Sequence, residues 1–236
     1  MTELLYLEDS YLKEFDARVA AVDGIHVFID RTAFYPSGGG VPTDIGVITR
    51  MDGACFNVVN VAKARDGICH EVAREGLAIG DSVHCKIDWE RRYRLMRMHT
   101  AAHLLSAIFY KRSGVLITGN QLGIDDSRMD FSLENFDREQ MEAVCTEANA
   151  LVRKGVPVKI YSLPRDEAMK IPGVIKLAGA LPPSLEMLRI VEIVDVDAQA
   201  DGGPHVANLS EIGTIEIVKL ENKGKANRRV YFTVKP

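Results

Sequence analysis

Two histidines four residues apart, His99 and His103 in Met98-His99-Thr100-Ala101-Ala102-His103-Leu104-Leu105, have the spacing of a metal clamp. On a helix they lie one above the other on a single face, about 6 Å apart at the side-chain origins. The pair alone leaves two readings open, since paired histidines beside an apolar face are often structural. A third imidazole stands far downstream, in the polar, glycine-rich Gln199-Ala200-Asp201-Gly202-Gly203-Pro204-His205. Zinc centres that do chemistry use three protein ligands drawn from His, Cys, Asp and Glu and leave one position for water. His99, His103 and His205 would supply three neutral imidazoles. Asp201, four residues before the last of them, could add an oxygen.

These residues need a helix and a bend to hold them. Leu95, Met98, Ala102, Leu105 and Phe109 recur at helical intervals, so a helix over 89–111 is expected, with both histidines flanking its apolar stripe at the rim of a cleft. Asp88 is a plausible N-cap, and the pattern changes there from period two to period 3.6. This places a domain boundary near residue 88 and divides the chain into 1–88 and 89–236. Before it, short alternating runs at 17–22, 26–29, 46–49, 57–61, 68–72 and 82–87 read as a small all-β barrel. Between the second and third runs lies Thr32-Ala33-Phe34-Tyr35-Pro36-Ser37-Gly38-Gly39-Gly40. Its glycine amides could approach a ligand closely, although a wide loop between strands has the same composition and is the favoured reading.

After the helix, Thr118-Gly119-Asn120-Gln121-Leu122-Gly123 reads as a polar turn, and 128–133 as a strand on which Arg128 and Asp130 share a face, for an ion pair or for substrate. A second amphipathic helix is expected over 137–154, and strands over 157–163, 187–195, 214–220 and 229–234. The fold class is therefore α+β, with helices packed on a mostly antiparallel sheet. The last hairpin gathers Lys219, Lys223, Lys225, Arg228 and Arg229, a basic cluster that could hold a phosphate backbone or simply be a solvated turn.

Composition excludes several classes. The 236 residues are 47% hydrophobic and 26% charged, ordinary for a globular chain, and the net charge of −4 excludes bulk polyanion binding, so any nucleic-acid contact must be local. Cys55, Cys69, Cys85 and Cys145 form no CxxC pair, which argues against a disulfide framework and a thiolate zinc knuckle and fits a reducing cytoplasm. The first residues lack the pattern of a secretory leader, and no apolar run reaches the roughly 18 residues of a membrane span.

Taken together, Thr32 to Gly40 with Asp44-Ile45-Gly46, His99-Thr100-Ala101-Ala102-His103, and Asp201-Gly202-Gly203-Pro204-His205-Val206-Ala207-Asn208 leading to Glu211-Ile212-Gly213 resemble the editing region of alanyl-tRNA synthetase. The chain looks like the free-standing, AlaX-type relatives of that region, in their medium-length form. The resemblance implies a zinc-dependent deacylase that removes wrongly attached serine, and glycine, from tRNA specific for alanine. It matches His99, His103 and His205 to the family's zinc histidines. Asp201 stands where many members have cysteine, either as a harder oxygen ligand or as an orienting partner of a ligand histidine. Discrimination of serine from alanine rests on one hydroxyl, which a site built to hydrogen-bond it can require. Thr118 and Gln121 are the expected contacts, with Thr32 and the Gly38, Gly39 and Gly40 amides as a second set. Lys223, Lys225, Arg228 and Arg229 are the expected tRNA contacts. The rival readings are a catalytically inert zinc-containing RNA-binding module and a zinc hydrolase of small aminoacyl esters.

Overall fold

The structure, a computed structural model, describes residues 2–133, 138–174, 185–224 and 227–236. The chain divides into two compact units, 1–94 and 95–236. The first carries β1 (Glu3–Leu4), α1 (Leu5–Glu8), β2 (Glu14–Asp23), β3 (His26–Ile29), β4 (Arg31–Thr32), β5 (Gly46–Arg50), β6 (Cys55–Ala64), β7 (Gly67–Val72) and β8 (Ser82–Ile87). Six of these strands close an antiparallel barrel in the order β2-β3-β7-β6-β5-β8. Strict alternation makes this possible: in β8, Val83, Cys85 and Ile87 point inward while Ser82, His84 and Lys86 face out. Val19, Val27, Ile48, Phe56 and Val61 fill the interior with them.

The glycine-rich stretch is tighter than the wide loop its composition suggests. Gly38 and Val41 exchange two main-chain hydrogen bonds of 3.1 and 2.9 Å, and Gly39 and Gly40 between them have φ of 60° and 84°. This is the two-residue hairpin turn in which both central residues need positive φ, and glycine takes it without penalty. Nearer the barrel, Tyr35 N–H donates to Asp44 Oδ2 at 2.6 Å and Asp44 N–H to Tyr35 O at 3.0 Å.

Helix α2 (Trp89–Ser113) starts where expected, with Asp88 Oδ1 accepting from Arg91 N–H at 3.1 Å. Its first turns nevertheless belong to the first unit, because Arg92 is wholly buried there. The Arg92 guanidinium pairs with Asp44 and also donates to Ser10 O at 3.1 Å and Ala33 O at 2.6 Å. A buried charge is tolerated when it is paired and hydrogen-bonded in this way. The first compact unit runs to Arg94 and so includes this ion pair, where the expected boundary stood near residue 88.

The second unit contains the rest of α2, then β9 (Ile117–Gln121), β10 (Ser127–Phe131), α3 (Arg138–Lys154), β11 (Val158–Pro164), α4 (Arg165–Ala168), β12 (Met187–Ile193), β13 (Asp197–Ala200), β14 (Thr214–Asn222) and β15 (Arg228–Lys235). Two antiparallel sheets form in place of a single one: β14-β15-β10-β9 and β11-β12-β13. The fold class is α+β. The stretch expected as a polar turn, Thr118 to Gln121, is strand instead, because its backbone groups pair with β10. Residue 137, where the second helix was expected to begin, lies outside the described residues. Asn149 of α3 brackets β14, its amide nitrogen donating to Ile215 O at 2.8 Å and its oxygen accepting from Ile215 N–H at 2.9 Å. Among the described residues no helix is long and apolar enough to cross a membrane.

From Leu95 to Phe109 the buried residues of α2 occupy nearly every side, including Leu95, Met96, Met98, Ala101, Leu104, Leu105 and Ile108. A helix apolar on most sides belongs in a core. His99 therefore sits within the second unit's interior rather than at a cleft rim, with 2% of its side chain exposed.

Candidate metal centre

Residues 99 and 103 come from consecutive turns of α2, and residues 201 and 205 from the bend after β13. The chain thus brings together all four side chains whose types suggested a metal. One potential ligand atom from each lies within 4.8 Å of the others. The His205 ring stacks on His99 with centroids 4.0 Å apart, and stands edge-on to His103 at 4.5 Å. Asp201 lies among the three: its Oδ1 is 3.3 Å from His205 Nε2, and its Oδ2 is 3.7 Å from His99 Nε2 and 3.8 Å from His103 Nε2.

Four ligands on a tetrahedron with bonds of about 2.0–2.2 Å sit about 3.3–3.6 Å from one another, so the three Asp201–histidine separations come within a few tenths of an ångström of such a centre. The set as a whole, spread over up to 4.8 Å, would close further around an ion. The protonation states suit it as well. Burial pushes the His99 and His205 imidazoles below their ordinary values, His205 well below, toward the neutral form that ligates metals. Burial opposes ionisation of Asp201. The surrounding imidazoles, His99 first, favour the carboxylate over the acid and hold Asp201 well below the usual range. His99 Nδ1 is 3.3 Å from Pro204 O, and a carbonyl can only accept, so Nδ1 carries the proton and Nε2 turns a lone pair toward Asp201. A neutral imidazole nitrogen and a carboxylate oxygen facing each other are both acceptors, and a cation between them satisfies both. The exposed side of the cluster is at His103 and Asp201, whose side chains are 12% and 20% accessible.

The bend is rigidly held. Gly203 N–H donates to Asp201 Oδ1 at 2.6 Å, and a Cβ at Gly203 would lie 2.6 Å from His99 Cε1. Only glycine fits that approach. Arg189 of β12 donates from Nη1 to Asp201 O at 2.8 Å and to Gly203 O at 2.9 Å. Sequence reasoning missed Arg189; the available signal was a lone cation inside the apolar Met187–Ile193 strand. Beyond the bend, Asn208 and Glu211 form a reciprocal cap on the 3-10 turn Leu209–Ile212, which accounts for the polar residues following His205.

Other expected site residues lie elsewhere. Thr118 and Gln121 are exposed on β9, the Thr118 hydroxyl 3.3 Å from Asn227 Oδ1. Thr32 is fully buried in the barrel unit, 2.8 Å from His70 Nε2, and accepts from Phe34 N–H at 3.1 Å. Of the three glycines, Gly38 uses its amide inside the turn. The basic hairpin is largely self-engaged. Arg229 makes a two-pronged pair with Asp130 at 2.6 and 2.8 Å, and buried Arg228 donates to Asn222 Oδ1, Gly224 O and Asn227 O. Strand pairing sets Arg229 opposite Asp130, so its guanidinium meets a carboxylate, while Arg228 turns onto acceptors of its own hairpin. Asp130 thus takes Arg229, not Arg128, as its partner. Lys223 lies 3.7 Å from Glu221, and Lys225 is outside the described residues.

Comparison with known proteins bears on both units. Residues 5–91 match the family of class II (A) tRNA synthetases, and residues 188–231 match the second additional domain of threonyl and alanyl tRNA synthetases. The chain is 47% identical to the alanyl-tRNA editing protein AlaX-M of Saccharolobus solfataricus, over 100% of both chains. It belongs to the AlaX-M family of alanyl-tRNA editing proteins. The AlaX-M of Methanosarcina barkeri is 48% identical over 99% of each chain. The alanine–tRNA ligase of Methanococcus aeolicus is 36% identical over 98% of this chain, but only 25% of the ligase is covered. AlaX-M relatives therefore match this chain end to end, whereas the ligase contains the matching part within a much longer protein.

Proposed function

We propose that this protein is a trans-editing hydrolase that removes serine, and glycine alongside it, from tRNA specific for alanine, with a zinc ion held by His99, His103, His205 and Asp201. The observation carrying this reading is the convergence of those four ligand atoms within 4.8 Å, in a chain belonging to an alanyl-tRNA editing family. Zinc bound there supplies Lewis acidity toward an ester carbonyl or an attacking water. The chain's own residues do the rest. Two turns of α2 present the imidazoles of His99 and His103 in one direction, and the bend closes over them with His205 and Asp201. Burial keeps His99 and His205 unprotonated at neutral pH. Substrate would enter at the His103 and Asp201 side, where the cluster is partly open.

Three imidazoles and a carboxylate make a harder ligand set than one with a thiolate, which suits an oxygen-rich ester. For selection of serine over alanine we retain Thr118 and Gln121, both exposed and hydrogen-bonding, ahead of Thr32, whose hydroxyl is already engaged in the barrel. Gly39 and Gly40 remain as backbone candidates. Lys223 and Lys225 are the proposed phosphate contacts, and the protein is placed in the cytoplasm with its tRNA.

The test is deacylation of seryl-, glycyl- and alanyl-tRNA for alanine, before and after chelation. Chelator-sensitive hydrolysis of the seryl and glycyl forms, with the alanyl form spared, is expected. Absence of hydrolysis by protein that retains one zinc per chain would sink the deacylase reading and leave an RNA-binding module. Cleavage of small aminoacyl esters without tRNA binding would favour the small-ester hydrolase.

A further inference from the structure

Thr100 directly follows the first histidine of the cluster and is fully buried. Its hydroxyl has three neighbours: Met96 O at 2.9 Å, His205 Nδ1 at 3.0 Å and Val206 N at 3.2 Å. A hydroxyl has one proton to give and two lone pairs to accept with. Met96 O can only accept, so the proton goes there. Both remaining partners must then donate: Val206 through its N–H, and His205 through a protonated Nδ1. With the ring neutral, Nε2 is left bearing its lone pair, and Nε2 is the atom 3.3 Å from Asp201 Oδ1.

A threonine that returns its proton to the carbonyl one turn back is common in helices. Here the lone pairs of that hydroxyl are used by a segment 105 and 106 residues away. The complementary contact runs the other way, since Pro204 O of the bend takes the Nδ1 proton of His99. Each half of the centre thus sets the tautomer of a histidine in the other half.

We infer that Thr100 is a positioning residue of the metal centre: its hydroxyl selects Nε2 as the ligating nitrogen of His205 and registers residues 205–206 against α2. The inference rests on the metal reading above for its consequence, but its structural content is independent of metal. Partners that orient ligand histidines typically change metal affinity by about 10–100-fold when removed.

The first test needs no variant. Nitrogen-15 chemical shifts of the His205 ring in the metal-free, unsubstituted protein at neutral pH should report a protonated Nδ1 and a bare Nε2; the opposite tautomer overturns the inference. In the second, zinc affinity is measured by competition with a chromogenic chelator. Thr100→Val, which keeps the shape and removes the hydroxyl, should bind about 10–100-fold more weakly, while Thr100→Ser should stay within about threefold of the unsubstituted protein. Equal affinity for Thr100→Val, or an equal loss in both variants, overturns the inference, the latter because the methyl and not the hydroxyl would then matter. Failure of the unsubstituted protein to bind zinc would instead sink the metal reading, with the tautomer measurement still deciding the role of Thr100.

Discussion

At the scale of single residues, the proposed centre needs every one of its four side chains, three imidazoles and a carboxylate, gathered at one point. Removing one imidazole should therefore lose the metal rather than merely weaken it. His103→Ala is expected to abolish both zinc retention, read by metal analysis after gel filtration, and hydrolysis of seryl-tRNA; full activity in that variant would sink the metal mechanism. Thr118→Ala tests selection. It should lower the ratio of seryl- to alanyl-tRNA hydrolysis by up to the roughly 10⁴-fold that hydroxyl-reading sites reach, and an unchanged ratio would remove Thr118 from the recognition set. His70 offers a test outside the centre. Burial pushes its pKa from 6.5 down to about 4, so the unfolded chain takes up its proton first as pH falls. The stability this buried neutral ring contributes is complete above pH 6.5 and is lost progressively down to about 4. Urea unfolding should show about 2 kcal/mol of loss between pH 7 and pH 5 from this residue, and His70→Gln should flatten that slope. An unchanged slope in the variant would assign the acid sensitivity elsewhere.

At the scale of elements, the start of α2 and the glycine-rich hairpin are joined through one ion pair. Arg92 has every guanidinium nitrogen engaged, and Asp44 binds both Arg92 and the Tyr35 amide. Asp44→Asn leaves a buried cation without its counter-ion, which costs about 3–5 kcal/mol and should lower the urea midpoint accordingly. A loss under 1 kcal/mol would mean that water or another acceptor relieves Arg92. Much of this was legible in the residues. Alternation located the barrel strands, and helical spacing located α2 and its histidines. The ends of β2 and β6 were missed because an antiparallel ladder runs on past the apolar alternation that marks a strand. β9 was missed for a related reason: Thr118, Gly119, Asn120 and Gln121 are turn-forming types held extended by pairing with β10. Arg92 was visible only as a cation in an apolar stripe, and its partner could not be read, because 48 residues separate them in the chain. The composition of the basic hairpin located its charges but not their neighbours, since charge count does not say whether a guanidinium faces water or a carboxylate.

At the scale of the whole molecule, the second unit is assembled from distant segments. β15 pairs with both β14 and β10, and Arg97 of α2 donates to Ile212 O and Lys235 O. The last strand thus lies between two others rather than at an edge. On a ribosome adding about 5–20 residues per second, the His99 and His103 pair emerges some 5–20 s before Asp201 and His205. During that interval α2 carries a two-histidine half-site whose other two side chains have not yet been made. By chain order, then, the four-residue set cannot assemble until residues 201–205 have been made, so a metal held by all four would be taken up after that point rather than at first appearance of the histidine motif.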